Sequence, residues 1–153
     1  MNQVNKIIGY AEQRVQSHGA RLTTKRKQVL AALLRSGKAL SAYELVDLCK
    51  TNGKAALPAM SVYRILDFLR SKQLVHKLSL TNKYVACAHI ACGHARSMSQ
   101  FLICDKCQKV TEVNLNPNTL AELQNNLKEA GFQMTSPQLE FNCICQNCQQ
   151  TAA

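Results

Sequence analysis

The chain has 153 residues, 46% of them apolar, and a formal net charge of +10 from nineteen Lys and Arg against nine Asp and Glu. That is enough material for one or two domains with real cores, and it excludes a disordered chain. No apolar run approaches the about 20 residues of a membrane span, and the first ten residues, MNQVNKIIGY, lack the apolar stretch of a secretory signal. A cytoplasmic protein with no membrane partner is therefore expected. In a reducing compartment its eight cysteines are expected as metal ligands or catalytic thiols rather than disulfides.

Charge and cysteine divide the chain in opposite ways. Residues 1–85 carry fifteen Lys and Arg against four acids, whereas residues 86–153 carry four against five. Cys49 lies in the first part and the other seven cysteines in the second. A basic half predicts an anionic partner, and a cysteine-rich half predicts metal.

In chain order, Val4, Ile8, Ala11 and Val15 recur at helical spacing, which predicts an amphipathic helix over 3–17 ended by Gly19. Thr24 is expected to cap a second helix with Val29, Leu30, Leu33 and Leu34 as its buried stripe and Gly37 as its stop. Ser41-Ala42-Tyr43-Glu44 has the form of a capping box, with Leu45, Leu48 and Cys49 as the apolar face behind it, and Asn52-Gly53 breaks that third helix. Pro58 opens a fourth helix, whose apolar face is Val62, Leu66 and Leu69. After Gln73 the period changes to two: Leu74, His76 and Leu78 alternate with Val75 and Lys77, Thr81-Asn82 turns, and Lys83–Cys87 returns.

Beyond the hairpin, residues 99–104 and 109–114 read as short strands flanking Cys104-Asp105-Lys106-Cys107. Asn118 is expected to cap a helix through Leu120, Leu123, Leu127 and Ala130, closed by Gly131. A last strand is expected through Phe132–Met134 and Leu139–Cys143, interrupted at Pro137. The predicted class is α+β: a winged helix-turn-helix domain over 1–86, a hinge loop over 87–95, and a small, cysteine-rich α/β domain over 96–153.

The fourth helix is the candidate reader of double-stranded DNA, because a helix fits the major groove and its first turns face base edges. Tyr63 offers an aromatic face for a thymine methyl, Arg64 a donor for a purine or phosphate, and Ser61 a short contact to phosphate at the helix start. The cluster Arg21, Lys25, Arg26 and Lys27 is placed to reach the backbone or a minor groove.

Cys104-x-x-Cys107 and Cys145-x-x-Cys148 form a paired motif in which each turn supplies two thiolates, enough together for a closed tetrahedral structural zinc shell. Cys143 lies close enough in sequence to compete with Cys145. A second set of candidate zinc ligands is His76, Cys87, His89, Cys92, His94 and Glu112, a mixture suited to weaker, reversible binding and so to sensing. The signatures of zinc proteases, P-loop nucleotidases, serine hydrolases and zinc deaminases are missing from the sequence, so no enzyme is expected.

The run Arg21-Leu-Thr-Thr-Lys-Arg26, the Ser41–Leu45 helix start, the segment Ser61-Val-Tyr-Arg-Ile-Leu66 and the two CxxC pairs resemble the ferric uptake regulator superfamily over residues 5–149. Leu74–Leu78, Asn82–Cys87 and Phe101–Cys107 are most similar to its zinc uptake regulator branch. The resemblance implies a homodimeric, zinc-dependent repressor of zinc-uptake genes that binds a palindromic operator, with two Zn2+ per subunit and no small-molecule substrate besides the metal. It makes residues 96–153 the dimerisation domain and assigns the structural zinc there to Cys104, Cys107, Cys145 and Cys148. It assigns the regulatory zinc to His76, Cys87, His94 and Glu112, with His89 as the alternative third ligand. It matches Tyr63 and Arg64 to the family's recognition pair and Arg21 to its minor-groove cation. In place of the His-His-Asp-His run of iron-sensing members stands Ala95-Arg-Ser-Met-Ser-Gln100, which disfavours iron. The competing readings are an iron or peroxide sensor of the same superfamily, a zinc-buffering protein, and a thiol oxidoreductase.

Overall fold

Among the described residues, 2–51, 56–92 and 98–151 of a computed structural model, the elements run in the order α1 (Gln3–Ser17), α2 (Thr24–Ser36), α3 (Ala42–Thr51), α4 (Ala59–Ser71), β1 (Val75–Leu78), β2 (Lys83–Ala86), β3 (Ser99–Cys104), β4 (Val110–Asn114), α5 (Pro117–Glu129), β5 (Leu139–Cys143) and α6 (Gln146–Gln150). They fall into two compact units, Met1–Gly93 and His94–Ala153. No helix among the described residues is long and apolar enough to cross a membrane.

The first unit is four helices and a hairpin around one core. Val15, Leu30, Leu33, Leu45, Cys49, Leu66, Leu69 and Leu74 are buried together, so the 3.6-residue stripes of α1 to α4 converge on one apolar centre. The caps set where each helix begins and ends. The N-cap of α2 is Thr23, one residue before the expected Thr24, and its hydroxyl accepts the Arg26 N–H at 3.4 Å. Gly37 closes α2 at φ +62°, a left-handed position that a residue with a Cβ enters at a cost. Pro58 sits at the N-cap of α4, with its carbonyl accepting the Val62 N–H.

The capping box before α3 forms as read. Ser41 Oγ accepts the Glu44 N–H at 3.1 Å, and Glu44 Oε1 accepts the Ser41 N–H at 3.4 Å. Burial by itself would raise the Glu44 carboxyl, but the Ser41 bonds and the Lys83 ammonium at 3.4 Å together hold it below its ordinary value. Its contribution is therefore complete above that ordinary 4.5 and is lost as the pH falls through the lowered value. Ser41→Ala should lower unfolding stability by about 1 kcal/mol in urea titration.

Strand β1 pairs antiparallel with β2, His76 opposite Val85, and Leu40 exchanges both backbone hydrogen bonds with Tyr84 (2.9 and 2.8 Å). That bridge anchors the wing to the segment leading into α3. Asn82 turns the hairpin at φ +53°, a conformation asparagine tolerates better than most side chains.

The second unit is a three-stranded sheet of order β4-β3-β5, with β3 antiparallel to β4 and parallel to β5. Helix α5 lies in the connection from β4 to β5, which lets the chain return parallel to β3. It is capped by Asn116, not Asn118, with Pro117 in its first turn where a missing N–H costs nothing. Residues 132–134 form no strand, and Phe132 is 71% exposed. The parallel ladder on β3 begins only at Leu139, opposite Gln100, so the earlier segment has no strand on which to place its backbone groups.

Candidate metal centre and nucleic-acid interface

Sheet register builds the first candidate metal centre. The last residue of β3, Cys104, pairs with the last of β5, Cys143, and the Asp105 N–H donates to the Cys143 carbonyl at 2.9 Å. The two CxxC turns follow directly on these two neighbouring strand ends, although 37 residues separate Cys107 from Cys145. In the first turn the Gln108 N–H closes on the Cys104 carbonyl at 3.0 Å, with Gln108 at φ +64°. In the second, Cys145 is the N-cap of α6 and Cys148 lies within that short helix.

The four sulfurs of Cys104, Cys107, Cys145 and Cys148 lie within 4.8 Å of one another, with Cys107 and Cys145 3.6 Å apart. Zinc–sulfur bonds of about 2.3 Å in a tetrahedron put sulfurs about 3.8 Å apart, so the set fits a soft dication with little movement. No disulfide joins these cysteines. The backbone also favours thiolate. N–H groups of Cys107, Cys145 and Lys106 directed at its sulfur pull Cys104 down to about 6, and the Cys145 N–H lies 3.3 Å away. The Cys148 N–H likewise lowers Cys145. Cys148, hydrogen-bonded to Cys145 and crowded by the other sulfurs, is pushed up to about 12. Four adjacent thiolates repel one another, and a bound dication removes that repulsion. Cys143 stands apart, its thiol donating to the Phe141 carbonyl at 3.6 Å.

The wing carries a second pair. His76 is in β1, Cys87 follows β2, and the Cys87 N–H extends the hairpin pairing to the Leu74 carbonyl at 2.9 Å. This places a His76 ring nitrogen and the Cys87 sulfur within 4.8 Å of each other. Cys87 Sγ accepts the His89 N–H at 3.4 Å, and His89 Nδ1 lies 3.5 Å from Cys92 Sγ. Arg14 of α1 donates to the carbonyls of His89 (3.1 Å) and Ile90 (2.8 Å), which holds this loop against the helical core where Ile90 is buried. Glu112 lies in β4 of the second unit, half-buried and accepting from Ser99 Oγ at 2.8 Å. His94 lies outside the described residues.

Helix α4 presents its polar side outward. Its face of Val62, Ile65, Leu66 and Leu69 is buried, while Met60, Tyr63 and Arg64 are exposed and Ser61 is half-buried. Asp67 pairs with Arg70 at 3.8 Å, and among the described residues no ion pair holds Arg64. Tyr43, 67% exposed at the start of α3, meets Tyr63 edge to face at 6.4 Å between ring centres. Tyr43 and Met60 belong to this surface and were not read from the sequence. The signal for Tyr43 was present, since it is the bulky box residue with no place in the Leu45, Leu48 and Cys49 face. Arg21 and Lys25 are exposed. Lys27 is ion-paired to Glu12 at 2.8 Å, and Arg26 is stacked on Phe68.

The family model "Ferric uptake regulator family" matches residues 17–142. The zinc uptake regulation protein of Escherichia coli (strain K12) is 33% identical over 153 residues, covering 97% of this chain and 84% of that protein. A zinc uptake regulator solved in complex with zinc and DNA superposes with a TM-score of 0.83 at 28% identity, covering 99% of this chain and 98% of that one. The holo form of XcZur gives 0.80 at 33% identity, over 96% and 99%. Both halves of the chain are thus accounted for together, the helical half and the cysteine-rich half: the chain belongs to the ferric uptake regulator family, and is similar to zinc uptake regulators within it.

Proposed function

We propose that this chain is a zinc-responsive transcriptional repressor, acting in the cytoplasm as a zinc-loaded homodimer that binds a palindromic double-stranded DNA operator and controls zinc-uptake genes. It is not an enzyme. The observation that carries this reading is the wing itself. The same hairpin that completes the DNA-reading domain brings a His76 ring nitrogen and the Cys87 sulfur within 4.8 Å of each other, which supports their use as a ligand pair.

Cys104, Cys107, Cys145 and Cys148 hold a structural zinc. His76, Cys87, His94 and Glu112 hold a regulatory one, with His89 as the alternative third ligand. In both places zinc supplies a cross-link between side chains. His76 and Cys87 belong to the DNA-reading domain over 1–86 and its junction with the hinge over 87–95, and Glu112 belongs to the dimerisation domain over 96–153. Joining them restricts the angle between domains and so favours one spacing of the two reading helices over others. The dimer face is supported by apolar side chains left outside the second unit's core: Val113, Phe132 and Phe141 are exposed, and α5 has no buried residue.

The test is a gel shift of the full chain on a duplex it selects from a random-sequence library in the presence of zinc. Tight binding with zinc and loss of sequence-specific binding on chelation are expected. Equal affinity in both conditions would sink the reading. In the same assay Arg64→Ala should weaken specific binding by about 1–3 kcal/mol while changing non-specific binding little. Lys25→Ala should weaken all duplexes alike and flatten the slope of log affinity against log salt by about one.

A further inference from the structure

Arg26 is engaged twice by the protein itself. Its Nη1 donates to the Arg21 carbonyl at 2.6 Å, and its guanidinium carbon lies 3.5 Å from the centre of the Phe68 ring. Phe68 stands one turn after Arg64 on α4, packed against the core of the first unit. A second cation, Lys72 Nζ, lies farther from the same ring, at 5.9 Å. A planar guanidinium lies flat on a ring while its N–H groups hydrogen-bond sideways in its own plane; a lysine ammonium, a compact point charge, does not reproduce that flat stack. The segment that Arg26 grips has little slack. Leu22 is buried beside it, and Thr23 caps the helix that carries Arg26. To reach a DNA phosphate, Arg26 would have to leave both contacts and uncover the ring.

We propose that Arg26 is a positioning residue of the DNA-reading surface, tying the Arg21 backbone to the recognition helix through Phe68, and that it is not a phosphate contact. This rests on the reading of the chain as a DNA-binding repressor. Arg21 and the Tyr63–Arg64 pair then meet the duplex in one fixed relation, and Arg26 acts on sequence discrimination through them. The charges left in this cluster for the backbone are Arg21 and Lys25.

The experiment uses the zinc-loaded full chain, the duplex that the unmodified protein selects, and a scrambled duplex of equal length. Arg26→Lys, Arg26→Gln, Phe68→Leu, Phe68→Tyr and the double variant Arg26→Lys/Phe68→Leu are compared across a salt series. Arg26→Lys keeps the charge and loses the stack, so the ratio of specific to non-specific affinity should fall about tenfold with the salt slope unchanged. Phe68→Leu should reproduce that loss, and the double variant should add nothing to it. Phe68→Tyr keeps the ring and should keep the ratio, which separates loss of the stack from loss of the fold. A wild-type ratio in Arg26→Lys, together with a salt slope lowered by about one in Arg26→Gln, would mark Arg26 as a phosphate contact and overturn the proposal. So would an unchanged ratio in Phe68→Leu. If the unmodified chain selects no duplex at all, the repressor reading itself fails, a result distinct from either.

Discussion

Cys107→Ser and Cys145→Ser should each remove one zinc per subunit and leave the second unit unfolded, with dimerisation lost alongside. The reason is the size of that unit's core. Its buried apolar residues among those described are Phe101, Ile103, Cys104 and Leu115. Burying a large apolar side chain stabilises by about 1.5–3 kcal/mol, so so few residues fall well short of the conformational entropy of ordering a unit this size. A structural thiolate site contributes about 10–16 kcal/mol in small zinc domains, against a usual net domain stability of about 5–15 kcal/mol. On the proposed reading, the structural zinc and the partner subunit supply the stability that this core does not. Metal analysis should show one zinc fewer, the far-ultraviolet spectrum should lose its strand signal, and sedimentation should show a monomer. A variant that stays a folded dimer with one zinc fewer would mean that sheet packing alone sustains this unit.

Cys87→Ser should leave folding, dimerisation and one zinc per subunit intact, and abolish the gain in operator affinity that zinc brings. Serine keeps the size of the side chain, but its hydroxyl does not ionise to a soft ligand. The hairpin bond from the Cys87 N–H to the Leu74 carbonyl is a backbone contact and survives the change. Coupling free energies between an effector and a second site are typically about 1–3 kcal/mol, which is about 5–150-fold in affinity. The unmodified chain should show a zinc-dependent gain in that range, and Cys87→Ser none. A variant that still responds to zinc would place the regulatory ligand elsewhere. The three cysteine substitutions thus fall into two opposite signatures: Cys107→Ser and Cys145→Ser lose the dimer, whereas Cys87→Ser keeps it and loses only the response.

The helices of the first unit were legible because their signals are local. Val29, Leu30 and Leu33 recur at the spacing that one buried face requires, Gly37 supplies the left-handed stop, and Ser41 and Glu44 form their box within one turn. The CxxC pairs were legible for the same reason, since each turn places two thiols through its own backbone. The misplaced features are those whose outcome depends on a distant partner or on two equivalent neighbours. Thr23 and Thr24 are equally able caps by residue type, and it is Thr23 whose hydroxyl accepts the Arg26 N–H. Residues 132–134 carry one strand-favouring side chain, Phe132, and have no strand beside them.

Composition and pattern by themselves determined that a basic helical reader is joined to a cysteine-rich unit, because charge, period and ligand spacing are written along the chain. Tertiary structure decided how the cationic cluster is divided: Arg26 lies on Phe68, Lys27 lies on Glu12, and Arg21 and Lys25 are exposed to solvent. It also decided that the second CxxC turn returns beside the first, through the parallel register of Cys104 with Cys143. Both outcomes are contacts between residues far apart in sequence. Their free energy depends on which surfaces the packed core brings together, and no local spacing encodes that.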